Sequence, residues 1–146
     1  MHEALKQARE ARDEGEVPVG AVIVCGERIV GRAHNQRETL RDPTAHAEMI
    51  AITQAAEALG NWRLLGCELY VTLEPCAMCA GAMVLARIER LFYGAADPKA
   101  GACGSVLDVL GAEGLNHRVQ VVAGLLAEPC SRLLSEFFQG RRERMK

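Results

Sequence analysis

Two short motifs rich in metal-ligating residues constrain the fold of this chain more than any other feature. The first is His46-Ala47-Glu48, and the second, farther along the chain, is Pro75-Cys76-Ala77-Met78-Cys79. Imidazole nitrogens and cysteine sulfurs bind the same ion only when they converge on one point in space. A chain that uses both motifs together must therefore fold so that residues 46–48 lie beside residues 75–79.

Apolar periodicity and turn residues predict an opening hairpin followed by alternating strands and helices. Helical spacing is found over residues 2–14, Ala45–Leu59, Ala77–Ala86 and a C-terminal segment with Leu133, Leu134, Phe137 and Phe138 on one face. The predicted strands are Val19–Cys25, a partner through Ile29 and Val30 after the Gly26-Glu27 turn, Cys67–Leu73, Leu91–Gly94 and Val119–Ala123. Residues 94–104 are predicted to form a Gly-rich loop, and Val106–Leu110 a short helix.

This order of elements predicts the fold class. An opening hairpin and later strands that alternate with helices are typical of α/β proteins with three layers. We expect an α/β/α arrangement with a mixed central sheet of about five strands and helices on both faces. The length of 146 residues fits one domain over residues 1–146.

The cysteine content raises the question of a disulfide scaffold. Charged residues recur throughout residues 1–12 and leave no apolar stretch for a secretory signal. No apolar run reaches the roughly 18 residues that cross a bilayer, so we expect no membrane association. These features predict a cytoplasmic protein with reduced cysteines. Cys76 and Cys79 have the spacing of metal ligands, and the other four are interpreted as small buried hydrophobic residues: Cys25, Cys67, Cys103 and Cys130.

The spacing of Cys76 and Cys79 favours a metal site at the start of a helix. Residues three apart on a helix have Cβ atoms about 5–6 Å apart on one face, so both sulfurs can reach one ion. The helix N-terminus favours thiolates. With His46 as third ligand, a fourth position stays open for water, and Glu48 is expected to reach that water as a base. Two thiolates and an imidazole favour zinc over iron.

Three interpretations stay open at the level of these residues. A catalytic zinc site uses His46, Glu48 and both cysteines together. A structural zinc site needs a fourth ligand, for which Cys103 is the candidate. A Cys-x-x-C pair at a helix start is also typical of thioredoxin-like redox proteins, although that interpretation leaves His46 and Glu48 unexplained.

The charge distribution leaves a further question open. The net charge of −2 does not indicate nucleic-acid binding by the chain as a whole. Residues 141–146, however, are mostly basic. Such a tail can contact phosphate, or it can be a solvated helix end whose cations suit the negative end of the helix dipole.

The combination of H-x-E with P-C-x-x-C is the signature of zinc-dependent nucleobase deaminases. Beyond it, the chain resembles the bacterial tRNA-specific adenosine deaminases, members of the cytidine-deaminase-like superfamily that convert the wobble adenosine of an anticodon to inosine. The resemblance covers nearly the whole chain. It rests on Gly15–Ala21, His34-Asn35, Asp42–Glu48, Tyr70–Cys76, Asp97-Pro98-Lys99, Gly101, Gly104-Ser105, Asn116-His117-Arg118 and Leu134–Phe138.

The resemblance implies a cytidine-deaminase-like fold, one zinc ion per subunit on His46, Cys76 and Cys79, and Glu48 as the catalytic proton carrier. It implies a tRNA anticodon stem-loop as substrate, with release of ammonia, and a homodimer whose second subunit adds to the active-site wall. The alternative on the same fold is a guanine, cytosine or nucleoside deaminase. Substrate contacts are also implied for Asn35, Ala47, Glu74, Asp97, Lys99, Phe138, Arg141 and Arg142.

Overall fold

The computed structural model describes the chain from Met1 to Lys146, with helices and strands in the predicted order. The helices are α1 (His2–Asp13), α2 (Ala47–Leu59), α3 (Ala77–Ala86) and α4 (Ala127–Arg144). The strands are β1 (Gly20–Cys25), β2 (Arg28–His34), β3 (Cys67–Leu73), β4 (Arg90–Ala95) and β5 (Gln120–Ala123). No helix combines the length and the apolar character needed to span a bilayer.

The five strands form one mixed sheet in the order β2-β1-β3-β4-β5. The hairpin partners β1 and β2 are antiparallel, and β1 also pairs antiparallel with β3. The remaining pairs, β3 with β4 and β4 with β5, are parallel. A parallel pair needs a crossover connection, and α3 provides it between β3 and β4. The mixed five-stranded sheet is therefore confirmed.

Helices cover both faces of this sheet, as predicted. Helix α1 packs on β1, and α2 packs on β1 and β2. Two glycines permit this close approach: a Cβ at Gly20 would overlap the backbone of Ala4 in α1, and one at Gly31 would lie 2.6 Å from the carbonyl oxygen of Ala51 in α2. Helices α1 and α4 contact each other, as do α2 and α3, so each pair forms one outer layer.

The main core lies between the sheet and α2 with α3. Alternate residues of the central strands enter it, and small residues of the helices let the layers approach closely. Burial of each large aliphatic side chain contributes about 1.5–3 kcal/mol. The fully buried members include Ile23, Leu69, Val71, Leu91, Ala51, Ala55 and Met83. This rigid block carries the N-termini of both α2 and α3.

The predicted short helix over Val106–Leu110 is wrong. The segment instead forms turns that include an isolated bridge between Cys103 and Asp108. The amides of Val106 and Val109 donate to the carbonyls of Gly101 and Ala102, respectively. They therefore do not make the hydrogen bonds of an α-helix within the segment. Of the apolar residues in this segment, Leu110 is buried and Val109 packs against the core, whereas Val106 and Leu107 are exposed, so no helical face is formed.

Candidate metal centre and pocket

Two helix N-termini bring the sequence motifs together. His46 is the N-cap residue of α2 and Cys76 that of α3, both with extended backbone. N-cap side chains usually bond to the amides of the first helical turn, but neither of these does. Both side chains are therefore available for another partner. The helix predicted from Ala45 begins at Ala47, so His46 precedes the first turn instead of lying within it.

The three predicted ligand atoms converge. His46 Nδ1 lies 3.6 Å from the sulfur of Cys76 and 3.6 Å from that of Cys79. Zinc–nitrogen and zinc–sulfur bonds of ordinary length, at a tetrahedral angle, place nitrogen and sulfur about 3.6 Å apart. The donor set and the two nitrogen–sulfur distances therefore fit zinc. Cys103 is not part of this group, so the closed site of the structural-zinc interpretation is not formed.

The two thiols have opposite pKa shifts. Cys79 and the His46 imidazole stabilise the thiolate of Cys76 and lower its pKa to about 3. The adjacent Cys76, followed by burial, raises the pKa of Cys79. Alone, the pair thus keeps one proton. A divalent cation displaces that proton because zinc is bound by thiolates.

Glu48 lies in the first turn of α2 and is only 4% exposed. Burial disfavours its charged form and raises the pKa of the carboxyl. A carboxyl with a raised pKa can both accept and return a proton near neutral pH. Its side chain borders the same pocket as His46 and Cys76, which places an acid–base group beside the ligand atoms.

The pocket is a cavity of about 710 Å³, a size that accommodates a small organic ligand. Apolar side chains form its walls, among them Val17, Val19, Leu73 and Leu134. Of the predicted substrate contacts, seven line it: Asn35, Ala47, Glu74, Asp97, Lys99, Phe138 and Arg142.

Arg141 does not line this cavity. Its guanidinium lies 3.7 Å from the carboxylate of Glu38 and 4.9 Å from the centroid of the Phe137 ring. Consecutive residues of a helix point about 100° apart, so Arg141 and Arg142 face different surroundings. The structure therefore separates two arginines that the sequence treats as equivalent.

Asn35 follows the end of β2 and is 5% exposed. Its amide nitrogen donates to the carbonyl of Val17 at 3.3 Å, and its oxygen accepts from the amide of Arg37 at 3.3 Å. An asparagine amide offers two donors and two acceptor sites, so each end keeps one. The two backbone contacts hold the side chain in one orientation toward the pocket.

Glu74 holds the loop on the opposite side of the pocket. Its buried carboxylate accepts hydrogen bonds from the amides of Asp97, Cys103 and Ser105 at 3.0–3.1 Å, and from the Ser105 hydroxyl. Burial raises the pKa of Glu74, but these hydrogen bonds outweigh it, and the net pKa is lowered. The residue was predicted as part of the pocket lining; its side chain also supports the segment that carries Asp97 and Lys99.

Sequence reasoning did not identify Glu16, a second buried carboxylate, which is 1% exposed. It accepts from the amides of Glu38 and Thr39 at 3.2 and 2.7 Å, and from the Thr39 hydroxyl at 2.6 Å. Burial raises its pKa, and these bonds outweigh that effect and lower it. Within the sequence, Glu16 is one acid in a turn, and no local pattern marks its partners.

Four polar or charged lining residues were also missed: Arg37, Ser131, Ser135 and Gln139. Three of them lie on α4 at helical spacing with Phe138 and Arg142, so the helical period was the signal that could have found them. Arg37 lies in the loop between Asn35 and His46. Together with Lys99 and Arg142, it places cations around the mouth of the pocket.

Comparisons with known proteins agree with this geometry. A family profile described as MafB19-like deaminase matches residues 1–142. The tRNA-specific adenosine deaminase of Bacillus subtilis is 52% identical over 146 residues, which cover 100% of this chain and 91% of that protein.

Two solved structures are similar in fold. One comes from a study of A-to-I editing by tRNA:A34 deaminases at the wobble position of transfer RNA. It has a TM-score of 0.89 and 47% identity, and the match covers 92% of this chain and 97% of the other. The other, the guanine deaminase of B. subtilis, has a TM-score of 0.64 and 34% identity, covering 97% and 90%.

Proposed function

Because the chain belongs to the MafB19-like deaminase family and, within it, to the tRNA-specific adenosine deaminases, we propose that it converts the wobble adenosine of a tRNA anticodon loop to inosine and releases ammonia. The observation that carries this function is the convergence of His46, Cys76 and Cys79 beside a buried Glu48, in one pocket. A redox pair or a closed structural site would need neither the carboxyl nor the cavity. A tRNA substrate also favours action in the cytoplasm.

One zinc ion per subunit fits the site. His46 Nδ1 and the sulfurs of Cys76 and Cys79 would hold it. When bound there, zinc lowers the pKa of a water molecule and so supplies the nucleophile. The thiolate of Cys76 and the displaceable proton of Cys79 suit the donor set that this ion prefers.

Glu48 moves the protons of the reaction. Its carboxylate takes a proton from the water that attacks C6 of adenine and passes it to N1 of the ring. It then takes the remaining proton of that water from the new C6 hydroxyl and delivers it to the exocyclic amine, so that the C6–N bond breaks, ammonia departs and a carbonyl remains. Burial of Glu48 supports both roles because it keeps the pKa of the carboxyl raised.

The residues around the cavity bind and orient the nucleotide. We assign contacts with the base and ribose to Asn35 and to the backbone around Ala47 and Glu74, at the inner part of the pocket. Phe138, partly exposed at the rim, offers a face for a flanking base, since unstacked RNA bases commonly stack on aromatic rings. Lys99 and Arg142 would bind phosphates, and Asp97 would flank the anticodon nucleotides.

The cations at the mouth favour RNA over a free base. Guanine or cytosine carries no phosphate, so Arg37, Lys99 and Arg142 would have no anionic partner in the substrate. The similarity to a guanine deaminase supports the alternative substrate on the same fold. Both its identity and its TM-score are lower than those of the tRNA:A34 deaminase structure.

A homodimer is supported by the composition of α3. This helix is apolar on all sides, yet Leu85 is 71% exposed and Met78, Gly81 and Ala82 are partly exposed. A helix that is hydrophobic all round is normally buried. We assign this face to contact with a second copy of the chain, which would place that copy close to the helix that carries Cys79.

The test is inosine formation on an anticodon stem-loop with adenosine at the wobble position, with free adenosine, cytidine and guanine assayed beside it. We expect turnover of the stem-loop by the zinc-loaded protein and loss of turnover in Glu48→Ala. Glu57→Ala, an exposed glutamate on the same helix, is the matched control and should keep full activity. Turnover of a free base or nucleoside alone would overturn the tRNA assignment.

A further inference from the structure

Two cysteines that the proposed reaction does not use lie opposite each other on neighbouring strands, at one end of the sheet. Cys25 ends β1, Cys67 begins β3, and the antiparallel register pairs them directly. Cys67 is buried and Cys25 is partly exposed beside the Gly26-Glu27 turn, so one thiol of the pair is open to solvent.

Their backbone groups show which kind of antiparallel pair they form. The amide of Cys67 donates to the carbonyl of Leu64, and its carbonyl accepts from the amide of Glu89, next to β4. Neither group bonds to Cys25. The two cysteines therefore form a non-hydrogen-bonded pair, in which Cα atoms lie about 4.5 Å apart and side chains approach most closely. This separation is at the short end of the range that a disulfide bridges.

We propose that Cys25 and Cys67 are a site of reversible covalent modification, forming a cross-strand disulfide by exchange with an oxidised small-molecule thiol such as glutathione disulfide. A bridge at such a short Cα separation is strained, and strained disulfides have more oxidising potentials and are reduced again readily. This pair thus differs from a permanent structural disulfide.

The exchange has two steps. The thiolate of Cys25 attacks one sulfur of glutathione disulfide, the sulfur–sulfur bond breaks, and one glutathione leaves. The thiolate of Cys67 then attacks the sulfur of Cys25 and releases the second glutathione. In total, two protein thiols are oxidised, one small disulfide is reduced, and the two thiol protons pass to the departing glutathiones. Burial, followed by the neighbouring Cys25, raises the pKa of Cys67 to about 12, so the more exposed Cys25 makes the first attack.

The bridge would leave the metal centre untouched. Cys67 is at the start of β3, and the segment that carries Cys76 begins where β3 ends at Leu73. At about 3.3 Å per residue, this strand separates the two by roughly 20 Å. The disulfide would close a covalent loop that contains β2, Asn35, His46 and all of α2, but it links two residues that the sheet already pairs. Zinc content and deaminase activity should survive the modification.

The experiment treats the zinc-loaded full chain with glutathione disulfide, alkylates the remaining thiols and maps the peptides by mass spectrometry. We expect a cross-link between the peptides of Cys25 and Cys67, equal to the loss of two hydrogen atoms and reversed by dithiothreitol. Cys67→Ser should stop at a glutathione adduct on Cys25, and Cys25→Ser should form no bridge. Cys130→Ser, a buried cysteine elsewhere, is the matched control and should behave like the wild type.

Several outcomes would overturn the proposal. They are a wild-type protein that stops at the mixed disulfide, six thiols that all stay reduced, and a Cys76–Cys79 bridge with release of zinc as the only product. Loss of zinc or of activity in a protein bridged only at Cys25 and Cys67 would contradict the distance argument. The peptide map does not depend on the substrate, so this result and that of the inosine assay are independent.

Discussion

The metal centre and the rim of the pocket are held in place by different kinds of interaction. At the centre, Cys76 and Cys79 share one helix, and His46 caps the helix beside it. At the rim, the loop positions depend on buried carboxylates far away in sequence: Glu16 reaches Thr39, 23 residues on, and Glu74 reaches Ser105, 31 residues on. The two ligand motifs are thus recognisable by spacing within each motif, although they lie 30 residues apart, whereas no local pattern marks the partners of the buried carboxylates at the rim. Changes at the two regions should therefore have separable effects.

The largest expected effect is at the centre. Glu48→Gln keeps the shape of the side chain but cannot take up a proton, so we expect kcat on the stem-loop to fall by about 10²–10⁴-fold. Zinc content should be unchanged, because Glu48 is not one of the three grouped ligand residues. Single-turnover kinetics and metal analysis of the same sample test both statements. A variant that loses zinc and rate together would make Glu48 part of the metal site.

The next effect is at the rim. In Glu74→Gln, an amide group would face backbone amides that now donate to the carboxylate, leaving buried donors without acceptors at a cost of about 1–3 kcal/mol. The loop with Asp97 and Lys99 should loosen, so KM for the stem-loop should rise more than kcat falls. Steady-state kinetics at full zinc occupancy measure this ratio. A fall in kcat with an unchanged KM would indicate that Glu74 affects the chemical step, and would contradict separate roles for the centre and the rim.

Glu16→Gln tests the loop at Glu38 and Thr39 through the pH dependence of the free energy of unfolding. The pKa of Glu16 is lowered from 4.5, so its hydrogen bonds stabilise the folded state fully above pH 4.5. This contribution is lost as the pH falls through the lowered pKa. We expect the variant to be less stable than wild type by about 1–2 kcal/mol at pH 7. Urea unfolding at several pH values should show this difference shrinking in acid. A stability difference that does not change with pH would show that the ionised carboxylate of Glu16 is not its cause.

The smallest expected effect is a difference between Arg141 and Arg142 in the salt dependence of stem-loop binding. Arg142→Ala should remove one phosphate contact and reduce the slope of log K against log salt for stem-loop binding by about 0.7. Arg141→Ala should leave that slope unchanged, because Arg141 faces Glu38 and Phe137 rather than the cavity. Binding titrations at several salt concentrations give both slopes. Equal reductions of the slope in the two variants would indicate that Arg141 and Arg142 both contact phosphate.

The sequence predicted elements whose signal is local. The helix and strand order, the mixed sheet and the spacing of Cys76 and Cys79 all follow from short-range periodicity. The helix predicted over Val106–Leu110 was wrong because its apolar residues satisfy their amides through Gly101 and Ala102, outside the segment. Glu16 was missed for the same reason, since its partners lie beyond a strand pair. Arg141 and Arg142 look identical in sequence, and only the rotation of α4 distinguishes them.

The position of the ligand residues at the caps of α2 and α3 has a consequence for how the enzyme matures. His46 and Cys76 are 30 residues apart, and β3 and the second half of the hairpin must be in place before their helices lie side by side. The entropy of closing so long a loop opposes metal capture by the unfolded chain. Metallation is therefore expected to follow assembly of the sheet, and once made it adds its binding free energy to the folded state.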